Sequence, residues 1–176
     1  ATDDPGIYTG HIDALRNVIP APLHPADIEP QPGAAWIPPA DHERFLYETL
    51  GLRSGQLKFE SSGDGQWHVK QTGIRNMFSA NTTWGTEDRS AVDLFRARCE
   101  QRPIRVERKN ADGSSYLDPV ATDAANQKAE ALTERFQEGV WETPARAERL
   151  AAEYNEKFNS IALRDYSSAG KALTFP

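Results

Sequence analysis

Cysteine is almost absent from this sequence: Cys99 is the single one, so no disulfide can form within the chain. Such scarcity is typical of proteins that reside in a reducing cytoplasm. Long apolar runs are missing too, and none approaches the ~18 residues needed to cross a bilayer. Residues 1–6 are acidic and polar, without the basic and then apolar order of a secretion signal. These absences predict a cytoplasmic protein with no membrane partner.

Signatures of catalysis are also lacking. Zinc sites need clustered cysteine and histidine ligands, but the histidines are scattered without helical spacing, at His11, His24, His42 and His68. No glycine-rich turn ends in a lysine and a hydroxyl residue, and no serine lies in a Gly-x-Ser-x-Gly elbow. The Asn/Asp-Pro-Pro-aromatic tetrapeptide of methyltransferases is missing as well. The chain is therefore predicted to hold no catalytic residue, no metal and no cofactor of its own.

The clearest regular pattern lies between residues 120 and 159. Apolar side chains recur there three or four residues apart, which predicts two amphipathic helices. The first set is Ala121, Ala125, Ala129, Leu132, Phe136 and Val140, and the second is Ala147, Leu150, Ala151, Tyr154 and Phe158. Gly139 is expected to end the first helix, and Thr143 with Pro144 to begin the second by a hydroxyl cap and an N1 proline. The two helices are therefore predicted to form a hairpin with Leu150 and Phe158 in the core.

Proline dominates the segment before residue 40. A short helix is predicted over residues 8–19, but prolines then disfavour regular structure up to Pro39, apart from one turn at residues 25–29. This segment is either a disordered linker or an ordered wrap over the domain surface. Its apolar residues favour the wrap: Leu23, Ile28, Trp36 and Ile37. We therefore divide the chain into an N-terminal helix and proline-rich wrap, residues 1–39, and a compact module, residues 40–176, within one domain overall.

The module alternates helices with hairpins. Helices are expected over residues 39–50, closed by Gly51, and over residues 86–100, with Val92, Phe95 and Cys99 buried. Hairpins are expected from residues 56–60 with 66–70, and from residues 104–108 with 115–117 across a turn at residues 110–113. Residues 161–176 read as an extended tail. The fold class is therefore α+β: helices, including the C-terminal helical hairpin, packed around two β-hairpins that form one small antiparallel sheet.

Positive charge is concentrated in the middle of the chain. The net charge is −6, yet residues 61–110 hold nine bases against six acids, while both flanks are acidic. Six of these bases form a candidate surface for nucleic-acid phosphates: Arg96, Arg98, Arg102, Arg105, Arg108 and Lys109. The alternative is a solvated face balanced by Asp93, Glu100 and Glu107, and charge alone favours it. Trp67 and Trp84 either stack on bases or belong to the core.

Several short motifs resemble a known arrangement. They are Trp36-Ile37-Pro38, Trp84-Gly85-Thr86, the run Tyr154-Asn155-Glu156-Lys157-Phe158-Asn159, and Arg164 and Tyr166 followed by Leu173-Thr174-Phe175-Pro176. Together they resemble the region between an N6-adenine DNA methyltransferase domain and a helicase core in very large fusion proteins of bacterial phages, plasmids and other mobile elements. Residues 166–176 depart from the Tyr-Asp-Gly-Ser-x-Leu-x-Phe-Pro-like segment of that family at its Asp-Gly-Ser portion.

The resemblance implies context and no catalytic residue. It implies a fragment of a longer protein, flanked by methyltransferase and helicase domains, with ATP and S-adenosylmethionine serving those domains. Three hypotheses follow. The first is a non-catalytic inter-domain module that positions domains and contacts DNA phosphates, and the second is a protein-interaction module that docks a neighbouring domain through Trp36, Ile37 and the proline-rich wrap. The third is an independent hydrolase or transferase. A pocket holding a strongly perturbed carboxylate or histidine would favour the third.

Overall fold

The computed structural model describes residues 20–74 and 77–160. Within them the chain forms, in order, helix α1 (Pro39–Leu50), strands β1 (Leu57–Ser61) and β2 (Trp67–Gln71), helix α2 (Ala91–Cys99), strands β3 (Glu107–Lys109) and β4 (Ser115–Leu117), and helices α3 (Pro119–Gly139) and α4 (Pro144–Phe158). A 3-10 turn at Pro25–Asp27 and a short π-helix at Ser79–Thr83 complete the order. The α+β prediction is confirmed. The predicted helix 8–19 and tail 161–176 lie outside the described residues.

Helix α1 and the first hairpin form as predicted. Pro39 occupies the first helical turn, and Gly51 closes the helix in the left-handed conformation at φ +66°. In the antiparallel hairpin Phe59 lies opposite Val69, and the inward-facing Leu57 and Phe59 are buried. Side chains of α1 cover the outer edge of β1: the Tyr47 hydroxyl donates to the Leu57 carbonyl at 2.7 Å, and Glu43 accepts from the Phe59 amide at 2.7 Å. This edge is therefore satisfied within the chain.

The two hairpins do not share a sheet, so that detail of the prediction is wrong. Each forms its own two-stranded antiparallel sheet. Strand β3 begins at Glu107 rather than at residue 104, because Ile104 and Val106 are buried beside α3. The Val106 amide donates to the Thr122 hydroxyl at 3.0 Å, and its carbonyl accepts from the Asp118 amide at 2.9 Å. The strands beyond this anchor are exposed on both faces.

Helix α2 begins later than the predicted residue 86. Residues 86–89 form a turn in which the Thr86 amide donates to the Arg89 carbonyl at 2.8 Å. Ser90 then caps the helix by accepting from the Asp93 amide at 3.2 Å. A side chain at Gly85 would overlap the backbone at Ala80 and Ala91, so glycine is required where the chain passes itself. The buried face of α2, with Val92, Phe95 and Cys99, is as predicted.

The C-terminal helical hairpin is confirmed, but the end of α3 and the start of α4 are not capped as predicted. Gly139 is the last residue of α3 and packs against Phe45 instead of adopting a left-handed cap. The buried Arg146 binds the freed carbonyl groups, with its Nε donating to Val140 at 3.0 Å and an Nη to Gly139. A cation at a helix C-terminus also complements the helix dipole. Pro144 starts α4, but the Thr143 side chain makes no capping hydrogen bond.

The proline-rich segment is an ordered wrap. Ile28, Trp36 and Ile37 are buried in the same core as the helices, and Trp36 contacts Trp141 and Tyr154 with ring centroids 6.2 and 5.1 Å apart. Trp36 and Ile37 are therefore not the exposed docking side chains that the interaction hypothesis expects, and docking through the rest of the wrap stays a prediction.

Two asparagines of α4 hold the start of the wrap. The Asn155 amide group accepts from the Leu23 backbone N–H at 2.7 Å and donates to the Leu23 carbonyl at 3.0 Å. One turn later, Asn159 donates to the Ala21 carbonyl at 2.9 Å. The asparagines of the Tyr-Asn-x-x-Phe-Asn motif thus bind the chain's own backbone.

His42 lies at the centre of the core. Its ring contacts Trp67, Phe95 and Phe136 with centroids 4.7, 6.2 and 5.1 Å apart. Nε2 accepts from the Gly33 amide at 3.0 Å, which assigns the ring proton to Nδ1 and makes Nδ1 the donor to the Pro38 carbonyl at 3.1 Å. His42, a residue of α1, thus holds Gly33 and Pro38, which flank the buried Trp36 and Ile37. No helix in residues 20–74 and 77–160 has both the length and the apolar character needed to cross a membrane.

Substitutions in α4 test its packing. Leu150→Ala is expected to lower the free energy of unfolding by about 2–5 kcal/mol, because this side chain is fully buried. Phe158, predicted to be core, is 58% exposed, and its ring contacts that of Tyr154 on the same helix, with centroids 5.5 Å apart. Phe158→Ala is therefore expected to cost less than about 1 kcal/mol. Urea denaturation of both variants measures the difference, and equal losses would contradict this packing.

The buried histidine makes stability depend on pH. Burial lowers the pKa of His42 from 6.5 to about 4, against weaker opposing effects of the Pro38 hydrogen bond and the Asp41 charge. Between these values the unfolded chain binds a proton that the folded chain excludes, so stability falls as the pH drops through this window. The contribution over the whole window is about 3 kcal/mol.

His42→Gln removes this titration and keeps a neutral side chain. Its free energy of unfolding, measured in urea at several pH values, should decline less steeply from pH 6.5 towards 4 than that of the parent. Carboxylates titrate alike in both proteins, so the comparison isolates His42. Parallel declines would refute the assignment.

Candidate nucleic-acid interface

Glu100 gathers two of the predicted arginines at the end of α2. Arg96 donates from Nε to Oε1 of Glu100 at 3.0 Å, and Arg102 donates from Nε to Oε2. The carboxylate also accepts from the Trp67 amide at 2.9 Å, which ties the first hairpin to α2. Only 5% of the Glu100 side chain is exposed. Its position therefore fixes where both guanidinium groups lie.

Glu100 is ionised at neutral pH despite its burial. Burial raises its pKa, but the hydrogen bonds from Trp67, Arg96 and Arg102 together outweigh this effect, so the pKa lies below its usual value. Each arginine donates to this carboxylate only from its Nε, whereas a guanidinium group carries five N–H donors. The remaining donors can bind another acceptor.

A depression beside α2 is lined by three arginines, Arg89, Arg96 and Arg102. Its volume is about 260 Å³, and Asp93 is its one acidic residue. Asp93 accepts a hydrogen bond from the Ser90 hydroxyl at 2.8 Å. Arg89 is held by donation from Nη2 to the Arg105 carbonyl at 2.8 Å. The excess of guanidinium groups suits a phosphate or another oxyanion. We call this the arginine depression.

The other predicted bases are distributed around it. Arg98 points towards α3, where it pairs with Glu130 at 3.1 Å. Arg108 is neutralised by Asp88 and Asp118, at 2.6 and 3.1 Å. Arg105 and Lys109 are exposed, and neither pairs with a carboxylate among the described residues. The structure thus brings Arg96 and Arg102 together, with Arg105 adjacent through Arg89, while Arg98 and Arg108 are committed to ion pairs.

Sequence reasoning missed two residues of this region. Arg89 was placed inside a helix that in fact begins after it; Ser90 followed three residues later by Asp93 is a helix-start signal that could have corrected the boundary. Gln101 was overlooked because its left-handed backbone, at φ +52°, has no sequence signature. Trp67, by contrast, is core as one interpretation expected, 3% exposed and stacked on Phe59 at 4.9 Å, and the half-buried Trp84 packs against the core.

His42 and Cys99 have strongly perturbed pKa values, and both lie in the core. The strongly perturbed histidine, His42, is fully buried and both its nitrogens are engaged. Burial raises the pKa of the Cys99 thiol well above its usual value, which disfavours the thiolate that a nucleophile needs. Across residues 20–74 and 77–160, no three His, Cys, Asp or Glu residues cluster as metal ligands.

The fold and the depression define an α+β domain with an arginine-lined surface beside its second helix. The family model described as a domain of unknown function, DUF8437, matches residues 31–160. The chain therefore belongs to the DUF8437 family, and the matched range contains helices α1 to α4, both hairpins and the arginine depression. No curated protein and no solved structure matches the chain.

Proposed function

We propose that this domain is a non-catalytic inter-domain module of a DNA methyltransferase–helicase type protein. It positions the flanking domains of the same chain and contacts DNA phosphates through the arginine depression. In this proposal the parent protein works in the bacterial cytoplasm, and ATP and S-adenosylmethionine act in the flanking domains. The resemblance of the Trp-Ile-Pro, Trp-Gly-Thr and Tyr-Asn-x-x-Phe-Asn motifs supports the context.

The observation that carries the DNA contact is the convergence of Arg89, Arg96 and Arg102 on one depression. The chain as a whole is acidic, so arginines without a binding role would be expected to form ion pairs with carboxylates on its surface. Here one buried carboxylate, Glu100, is shared by two arginines and leaves their outer donors available. Such preorganised guanidinium groups are suited to phosphate oxygens.

Removing two exposed charges next to the depression tests the contact. The double variant Arg89→Gln and Arg105→Gln leaves the buried Glu100 pairs intact and removes one exposed hydrogen bond, from Arg89 to the Arg105 carbonyl, so we expect the fold to be retained. Binding of short duplex and single-stranded DNA should weaken about tenfold or more at low salt, and the slope of log affinity against log salt should fall by about two. Fluorescence anisotropy at about 50–200 mM salt measures both quantities.

The matched control removes the same charge from another face. Arg44 and Lys58 are exposed and paired with Glu48 and Glu60, and changing both to Gln should leave DNA binding close to that of the parent. Equal weakening by the two double variants would show that only net charge matters. A parent chain that does not bind DNA even at low salt would refute the contact altogether.

A second candidate is a protein-interaction module without nucleic-acid binding. The second hairpin projects beyond the core, and large apolar side chains near its base are exposed: Tyr116 and Leu117 at 48% and Val120 at 78%. Exposed apolar groups of this kind favour contact with another protein.

This alternative predicts hydrophobic-dye binding or self-association that Leu117→Lys abolishes. The lysine would lie opposite Glu107 in the hairpin, so the strands should stay paired. Dye fluorescence and light scattering of parent and variant provide the measurement. A monomeric parent that binds no dye would contradict the alternative.

A further inference from the structure

Helix α2 ends in a common type of C-terminal cap that has an unusual residue at its left-handed position. The Gln101 amide donates to the Arg98 carbonyl at 3.1 Å, and the Arg102 amide to the Ala97 carbonyl at 2.8 Å. These two bonds define a Schellman motif, whose left-handed residue is normally glycine. Gln101 occupies that position at φ +52°, and it is the only non-glycine residue with positive φ in the described part of the chain. A glycine would adopt this backbone with less strain.

The strained residue carries an exposed side chain next to Arg102. Arg102 lines three depressions, of about 600, 450 and 260 Å³, and Gln101 lines the first two of them. The largest also presents the apolar surfaces of Pro32, Ala97 and Pro103. An amide that both donates and accepts, a guanidinium group and an apolar wall therefore meet at this turn. Strained backbone that persists beside concave surface is often linked to function.

We propose that Gln101 and Arg102 form a contact point for one nucleotide of single-stranded DNA. Arg102 binds its phosphate, the Gln101 amide hydrogen-bonds the edge of its base, and the base packs against the wall of Pro32 and Pro103. A single strand is the occupant because its bases can be splayed into a depression, whereas a duplex keeps them stacked. This inference rests on the proposed phosphate contact and deepens it.

Two substitutions separate the side chain from the backbone strain. Gln101→Gly removes the side-chain amide and relieves the backbone strain. Gln101→Ala also removes the amide, but the strain remains because alanine keeps a Cβ in the left-handed conformation. Both variants should bind a single-stranded oligonucleotide of about 12 residues about fivefold or more weakly than the parent. Gln101→Gly alone should raise the melting temperature, by about 2 °C.

An abasic oligonucleotide of the same length identifies the group that is contacted. Because it lacks bases, the parent and both Gln101 variants should bind it equally, and the salt dependence should be the same for all three. Fluorescence anisotropy on the 176-residue chain, with normal, abasic and duplex probes, provides the comparison.

Each opposing result has a distinct meaning. If both Gln101 variants bind the normal oligonucleotide as tightly as the parent, the inference is overturned while the salt-dependent phosphate contact stands. Losses that are equal on the abasic probe overturn the base contact, and losses that are equal on the duplex overturn the single-strand assignment. A parent that binds no DNA at low salt overturns both this inference and the proposed function.

Discussion

The hydrogen bonds of His42 are the contact on which this fold depends most. A neutral imidazole, buried among aromatic rings, accepts from Gly33 and donates to Pro38. These two residues border the part of the wrap that carries the buried Trp36 and Ile37. Gly33 also lies so close to the Cys99 backbone that no side chain would fit there. The histidine thereby connects α1, the wrap and the C-terminal end of α2, and it can do so only while uncharged.

The arginine depression is close to this connection in sequence, because Arg102, which lines it, follows Cys99 by three residues. Cys99 is followed by Glu100, which binds Trp67, Arg96 and Arg102, and then by the strained turn at Gln101. Arg96 and Arg102, which line the depression, are therefore held by the same carboxylate that joins the first hairpin to α2. Preorganisation of this kind lowers the entropy that a charged side chain loses on binding. It also explains how an acidic domain maintains a local excess of guanidinium groups.

Local patterns predicted much of the fold, and two of their failures share a cause. Helix α1 and the first hairpin followed from turn residues and alternation, which depend on near neighbours in sequence. The start of α2 is marked by a local signal that was missed, Ser90 with Asp93, whereas the exposure of Phe158 depended on which residues the rest of the chain covers. Periodicity places Phe158 on the same face as Leu150, but only Leu150 is covered by the core, while Phe158 is 58% exposed. The single sheet failed for the same reason, since the second hairpin is anchored to α3 rather than to the first hairpin.

The sequence by itself determined the α+β class, the helical hairpin, the buried face of α2 and the basic character of residues 61–110. These properties depend on the order and type of residues along short stretches. Tertiary structure decided which of the other charges remain available, because their ion-pair partners come from distant positions: Arg98 meets Glu130 and Arg108 meets Asp88. The pairs of Glu100 with Arg96 and Arg102 are local, but the burial of Glu100 and its bond to the Trp67 amide also depend on the tertiary structure. A run of arginines specifies charge but not neighbours, and neighbours decide whether a guanidinium group can bind a ligand.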